Sequence, residues 1–344
     1  MLWPGGHRLM RVTGPNARAV GVRDVAARAG VSRQTVSRVL NEHPDVAPET
    51  RERVLAAVVE LGYRMNNAAR ALGTRRSRTI GVLASDTLQY GPSRSIAAIE
   101  ASARAAGFWV STAFADSGDV SSVAAAMAHL QAQSVDGLIV FAPHARTLEA
   151  LGDLDAEVPL AVLHAAGRGE PGLSVDQAAG ARAAIGALAD AGHRSIAHLA
   201  GPADWLEAEA RAAGVVAALA ERGLPAGPVL EGDWTAASGH AAAEAVRDAG
   251  VTAVFAGNDQ MALGLIGGLR TLGVSVPEQI SVVGFDDTPD AAYFWPPLTT
   301  VRQDFDEPAR RAVAAVTSIA AVPADPVAPV LVARDSVAAP FVAQ

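Results

Sequence analysis

The chain has 344 residues, half of them hydrophobic, with a formal net charge of −8 and no cysteine. That length allows two or more domains with sizeable cores. The missing cysteine excludes disulfides, thiolate metal sites and cysteine nucleophiles. All 28 basic residues are arginine, which also excludes Schiff-base and P-loop lysine chemistry. No apolar run approaches the ~18–20 residues of a membrane-spanning helix, and Met1 to Ala19 has no continuous apolar stretch of a signal peptide. A cytoplasmic protein is expected.

The charge is unevenly placed. Residues 1–78 hold fourteen arginines against six acids, a net of +8, and the remainder carries −16. A basic head on an acidic body points to a polyanionic partner for the head, with a basic solvated tail as the plainer alternative.

Met1 to Val20 lacks periodicity and is read as a disordered extension. From Val22, apolar residues at Val22, Val25, Ala26 and Ala29 share one helical face. Gly30 allows a tight turn, Val31 can plug it into the core, and Ser32 is a good N-cap for a second helix to Asn41. Val36, Val39 and Leu40 face inward there, leaving Arg33, Gln34, Ser37 and Arg38 outward. A third helix is predicted from Pro48 to Leu61, ended by Gly62, with Val54, Leu55, Val58 and Leu61 inward. This is a helix-turn-helix arrangement. Its second helix can present N-terminal side chains to base edges in a DNA major groove. Arg and Gln suit guanine and adenine edges, which weighs against a small three-helix bundle with no ligand. An arginine-rich linker follows, in which Asn66 could cap a short helix ending at Leu72 and Gly73.

After Thr79, short β-rich runs alternate with alanine-rich helical stretches. The runs are Thr79–Ala84, Trp109–Phe114, Gly137–Phe141, Pro159–Leu163, Gly172–Val175, Ile196–Ala200, Val229–Gly232, Ala253–Ala256, Ser281–Phe285, Leu298–Val301 and Val330–Ala333. This βαβ alternation predicts parallel sheets, and the number of strands predicts two doubly wound units whose carboxyl strand ends can share a cleft.

The run Val25-Ala26-Ala27-Arg28-Ala29-Gly30-Val31-Ser32-Arg33-Gln34-Thr35-Val36-Ser37-Arg38-Val39-Leu40-Asn41 closely resembles the headpiece of the LacI/GalR repressor family. So do Gly257-Asn258-Asp259-Gln260-Met261-Ala262-Leu263-Gly264, the run Ser281 to Asp287, and the run Pro296 to Phe305. The resemblance runs in order from about Val22 to Ala339. It implies an α/β protein with an all-α helix-turn-helix headpiece at 21–65 and a hinge helix with its linker at 66–78. The core would resemble a periplasmic sugar-binding protein. Its N-subdomain would be 79–175 plus 303–323, its C-subdomain 176–302 plus 324–339, with the chain crossing three times. A transcriptional repressor is implied, released from palindromic operator DNA by a sugar. No heptads precede Gln344, so a homodimer is expected. No cofactor and no membrane are implied.

The resemblance also assigns roles. Arg33, Gln34 and Arg38 match base-reading positions. Ser32, Thr35 and Asn41 are placed for phosphates, with capping as the alternative for Thr35 and Asn41. Leu72 matches a minor-groove wedge, or packs the hinge on the core; Met65 stands before Asn66 where the family usually has proline. In the cleft, Asn258, Asp286 and Arg211 match ligand contacts, with Ser85 a further contact position. Trp234 and Phe305 can cover a sugar ring face, although Trp234 could be core. Asp259 and Asp287 read as structural caps. His164 stands where a lactose-responsive member has an inducer-binding aspartate, and is either a ligand contact or a satisfied wall residue. Gln89 and Ser95 replace apolar residues of the N-subdomain wall, which suits a different sugar or a longer saccharide.

The residues leave three rival readings. An enzyme lacks support, because no nucleophile elbow, P-loop, dinucleotide turn or metal-spaced histidine set is present. A secreted solute-binding protein conflicts with the basic headpiece. A regulator strengthened on DNA by a purine-like corepressor keeps the DNA-binding features and reverses the coupling, and Trp234 and Asp286 favour a sugar over it.

Overall fold

The computed structural model describes residues 20–40, 43–63, 76–85, 89–116, 119–141, 144–152, 157–164, 166–318 and 321–340. The proposed extension before Val20, Asn41, the hinge helix and Leu72 lie outside them. Two compact units divide at Arg75/Arg76.

The first unit is three helices, α1 (Val22–Ala29), α2 (Arg33–Leu40) and α3 (Pro48–Leu61). Asp24 Oδ2 accepts a hydrogen bond from Gly21 N at 2.8 Å and caps α1. Gly30 ends that helix at φ 66°, in the left-handed region a side chain resists. Ser32 Oγ accepts from Thr35 N at 3.0 Å and starts α2. The core is Val25, Ala26, Ala29, Val36, Val39, Val54 and Ala57. Leu55, expected inward, is 46% exposed. The inward face of α3 is Val54, Ala57, Val58 and Leu61, and Leu55 falls outside it. Arg28 clamps α1 to α3 through Glu60, at 2.9 and 2.6 Å.

The second unit holds two sheets. The first has the order β2 (Trp109–Phe114), β1 (Thr79–Ala84), β3 (Gly137–Phe141) and β4 (Leu160–Leu163), all parallel. Helices α4 (Tyr90–Ala105), α5 (Val120–Ala132) and α6 (Ala145–Gly152) connect its strands. The second sheet takes α7 (Gln177–Asp190), β5 (Ile196–Ala200), α8 (Leu206–Glu221), β6 (Val229–Glu231), α9 (Ala236–Ala241), α10 (Ala243–Asp248), β7 (Ala253–Ala256), α11 (Asp259–Thr271), β8 (Ser281–Asp286) and β9 (Thr299–Arg302). The chain then returns to the first sheet as α12 (Asp306–Thr317), which buries Ala309, Ala312, Val313 and Val316 against Ile80, Ile99 and Ile139. It crosses once more to end as β10 (Val330–Val332), antiparallel to β9 at the edge of the second sheet. The strand order there is β10-β9-β8-β7-β5-β6.

The predicted strand Gly172–Val175 is absent. Pro171 supplies no amide donor and fixes φ, and residues 171–173 close into a 3-10 turn, with Leu173 N donating to Glu170 O at 3.0 Å. Only Val175 makes an isolated bridge, to Val327.

The central strands β1, β3, β7 and β8 are buried on both faces, which is why they read as continuous apolar runs. In the second sheet, Phe285 is fully buried among α7, α8 and Val301. Phe285→Ala is expected to lower unfolding free energy by about 3–5 kcal/mol, as deletion of a buried aromatic ring does. The midpoint of a urea titration of the full chain checks this.

Candidate functional site

On α2, Arg33, Gln34, Ser37 and Arg38 are exposed along one face, opposite buried Val36 and Val39. Ser32 and Thr35 are partly committed to each other, since their hydroxyls lie 2.9 Å apart at the helix start. The helix therefore offers two guanidinium groups and a carboxamide to a partner, with the N-cap beside them.

In the second unit, Ser85, His164, Gly201, Asn258, Asp286 and Gln303 each stand at or just past the carboxyl end of a strand. Both sheets turn these ends toward one cleft. Its inner cavity, 30 Å³, is lined by Gln89, Tyr90, Trp205, Glu207, Arg211, Trp234, Asn258, Asp286 and Gln303, with Gly91 and Pro92. That is room for about one water.

Arg211 reaches in from α8 and is 3% exposed. Its Nε donates to Gln177 Oε1 at 2.9 Å and its Nη1 donates to Gly257 O. Its guanidinium lies 3.9 Å above the Phe285 ring and 5.4 Å from the Trp234 ring. Its Nη2 stands 3.9 Å from Glu207 Oε2 and 4.0 Å from Asp286 Oδ1. Asp286 accepts from Gln303 Nε2 at 2.7 Å. Burial pushes its carboxyl up to about 6, against the pull of Arg211 and Gln303. Burial also pushes Glu207 up, but His164 and Arg211 together hold it below the ordinary glutamate value.

Trp234 lies flat on Gly201, where a Cβ would come within 2.0 Å of the indole. Trp205 meets it edge-on at 5.6 Å. The indole Nε1 of Trp234 and the hydroxyl of Ser85 are buried without a hydrogen-bond partner among the described residues. His164, Trp234, Asp286 and Asp287 all have positive φ, four of the six such non-glycine residues described. Each costs of order 1–3 kcal/mol, a concentration of strain that marks functional sites.

Several expectations shift. His164 does not line the cavity. Its Nε2 lies 2.9 Å from Ser95 Oγ and its Nδ1 3.0 Å from Glu207 Oε1, so both ring nitrogens are taken. Ser95 is no wall residue either; it is fully buried behind the wall, while Gln89 does line it. Phe305 packs edge-on behind Tyr90 at 5.9 Å rather than on the inner cavity. Asn258 spends its Oδ1 capping α11 through Met261 N at 2.8 Å and one Nδ2 proton on Trp234 O at 3.0 Å, leaving one donor. Asp287 is a structural residue, paired with Arg302 and Arg334 at 2.7 and 2.6 Å. Tyr90, Gln177, Trp205, Glu207 and Gln303 were not anticipated. The Glu207/Arg211 spacing of four on one helix was the available signal.

Residues 21–66 match the family model for bacterial regulatory proteins, lacI family, and residues 185–337 match a periplasmic binding protein-like domain. The lactose operon repressor of Escherichia coli (strain K12) is 38% identical over 301 residues, 83% of this chain and 81% of its own length. The chain belongs to the LacI family.

This LacI-family regulator is 37% identical over 296 residues to the transcriptional regulator CelR of Thermobifida fusca, covering 81% of this chain and 85% of that one. The solved lac repressor dimer bound to operator and the anti-inducer ONPF superposes with a TM-score of 0.82 at 34% identity, over 94% of this chain and all of that one. These relatives are transcriptional regulators, and no helix among the described residues is long and apolar enough to cross a membrane.

Behind the cleft, Asp259 is fully buried, accepting from Thr288 N at 2.7 Å and Thr300 Oγ1 at 2.5 Å. Burial and then the Asp286 charge push its carboxyl up to about 8. The folded state thus keeps a proton that the unfolded chain releases near pH 4, and the stability this adds is lost as pH rises toward 8. Buried His193 and His198 have lowered values and contribute only below about pH 6.5. Melting temperature is expected to fall from pH 6.5 to 9, and Asp259→Asn to flatten that fall. Thermal denaturation of both proteins across this range checks it.

Proposed function

We propose that the protein is a cytoplasmic, homodimeric transcriptional repressor that grips a near-palindromic operator through α2 and is released by a sugar bound in the cleft. One observation carries the sugar reading. Arg211, Asp286 and Asn258 converge beneath two indole rings at the carboxyl ends of the strands, offering donors, acceptors and a flat apolar face together. Sugars present hydroxyls to the first and ring C–H faces to the second. The solved relatives with operator and ONPF, and of CelR with cellobiose, support that assignment. In it, residues 79–175 with 303–323 and residues 176–302 with 324–339 move as the two subdomains.

Arg33, Gln34 and Arg38 are assigned to base edges, and Ser32, Thr35 and Asn41 to phosphates. Leu72 is assigned to the minor groove as a wedge. Gln34→Ala is expected to cost about 1–3 kcal/mol on the best operator and to relax preference at one base pair per half-site. A binding-site selection on both proteins reads this, and unchanged selectivity refutes α2 as the recognition helix.

Ser85, Arg211, Trp234, Asn258 and Asp286 are assigned to the sugar, with Phe305 supporting Tyr90 and His164 supporting Glu207. Arg211→Ala or Asp286→Ala should weaken sugar binding by about 1–3 kcal/mol, the cost of stranding a buried polar partner. In a reporter strain such a repressor stays on its operator when the sugar is added. Leu72→Ala does the reverse, binding sugar and losing tight operator binding. Calorimetry with lactose, cellobiose and galactose, beside operator titration, checks all three. A sugar that strengthens operator binding would reverse the sign of coupling, and a response to nucleobases alone would sink the sugar reading.

A further inference from the structure

Within the cleft the charges stand in a row. Arg211 Nη2 lies between Glu207 Oε2 at 3.9 Å and Asp286 Oδ1 at 4.0 Å. Both gaps exceed hydrogen-bond length. Each pair can be bridged from the side by a group that donates to the carboxylate and accepts from the guanidinium. A hydroxyl does both; a phosphate or carboxylate oxygen only accepts.

Glu207 is held in this row from across the cleft. Its Oε1 faces His164 Nδ1 at 3.0 Å and accepts from Gln177 Nε2 at 3.3 Å. His164 follows β4 of the first sheet, whereas Glu207 opens α8 of the second, and Ser95 Oγ fixes the other ring nitrogen at 2.9 Å. With Oε1 tethered, Oε2 is left toward Arg211. The pair is buried, His164 at 1% and Glu207 at 7% exposure, so its charge is weakly screened. An arginine alone in such a site would welcome an anion. The Glu207 and Asp286 carboxylates beside it offset that attraction.

We propose that Glu207, positioned by His164, is a specificity determinant that restricts the effector to neutral sugars with neighbouring hydroxyls and rejects their phosphorylated or acidic counterparts. This rests on the sugar reading of the cleft. Two adjacent hydroxyls bridge the two pairs from the cavity side, one Glu207 with Arg211 and the other Arg211 with Asp286. His164 is a positioning residue and touches no ligand.

The test is calorimetry on the full chain with matched probes: glucose, galactose, cellobiose and lactose against glucose 6-phosphate, galactose 6-phosphate, glucuronate and galacturonate. The wild-type protein is expected to bind at least one neutral probe and to bind its acidic counterpart at least about a hundredfold more weakly, as like-charge juxtaposition demands. Glu207→Gln should narrow that gap by roughly tenfold or more, and His164→Leu should narrow it too. His164→Gln, which keeps a donor for Glu207, should restore it. A merely structural defect weakens both members of a pair alike and leaves the ratio unmoved. If Glu207→Gln does not melt as a folded protein, His164→Leu against His164→Gln decides the same ratio. An unchanged ratio in folded Glu207→Gln overturns the proposal while leaving the sugar reading standing, and so does a wild-type protein that takes both members equally. Failure of every neutral probe to bind the wild-type protein removes the sugar reading and this inference together.

Discussion

The buried guanidinium of Arg211 is the constraint around which the second unit is arranged. Removing a charge from water costs several kcal/mol unless partners replace the lost hydration. Here they come from many parts of the chain: Gln177 at the start of α7, the Gly257 carbonyl after β7, the Phe285 ring on β8, and two carboxylates beyond hydrogen-bond reach. Gln177 also donates to Gln303 at 2.7 Å, which in turn holds Asp286. The site is therefore one connected network, in which moving any member leaves another unpaired.

That network has one anchor on the opposite sheet, His164, and this joins recognition to the relative placement of the two sheets. Around it lie weaker ties of the same sense. Asp204 pairs with Arg146 at 2.9 Å and with His144 at 3.4 Å, Glu209 pairs with Arg168 at 3.4 Å, and His144 bridges Trp205. Basic groups of the first sheet thus face a short acidic run, Asp204 to Glu209, of the second. Arg146, Arg168, Asp204 and Glu209 are about half exposed, so each of their pairs is worth little. The buried His164–Glu207 pair sets the geometry. A ligand shifts such an equilibrium only by the difference in its affinity for the two arrangements.

The legible parts of the chain were those specified by local chemistry. Gly30, Ser32, Pro48 and Gly62 fix the headpiece helices, and α1 and α3 fall where those residues put them. Most strands were visible because two-sided burial makes them short apolar runs. Gly172–Val175 misled because its composition is strand-like while Pro171 denies it a donor. Leu55 misled because helical period alone does not say which residue meets the closest helix. The places of Asn258 and Asp286 at strand ends beside the cavity were legible, but those of Glu207, Gln177 and Gln303 were hidden. An acid on an alanine-rich helix reads as a solvated one. It becomes a site residue only when His164, 43 positions earlier in the chain, folds against it. Ser95 was misjudged for the same reason, since nothing near it in the chain shows that it faces His164.

The cleft is also where the second unit gives up stability. Four residues there hold positive φ, two carboxyls are buried near one another, and Trp234 keeps an unpartnered indole N–H. Elsewhere local preference and fold agree: Asp119 and Asp176 cap α5 and α7 through Ser121 N and Ala179 N, both at 2.8 Å. Departures from that consistency gathered in one place signal a function that stability alone would not select. The placement of Trp234 makes the point most directly. Its indole lies on Gly201 and close to Gly257, two positions where any side chain would displace it. The ring is therefore held against backbone rather than by a deformable wall, and it is already ordered before any ligand arrives.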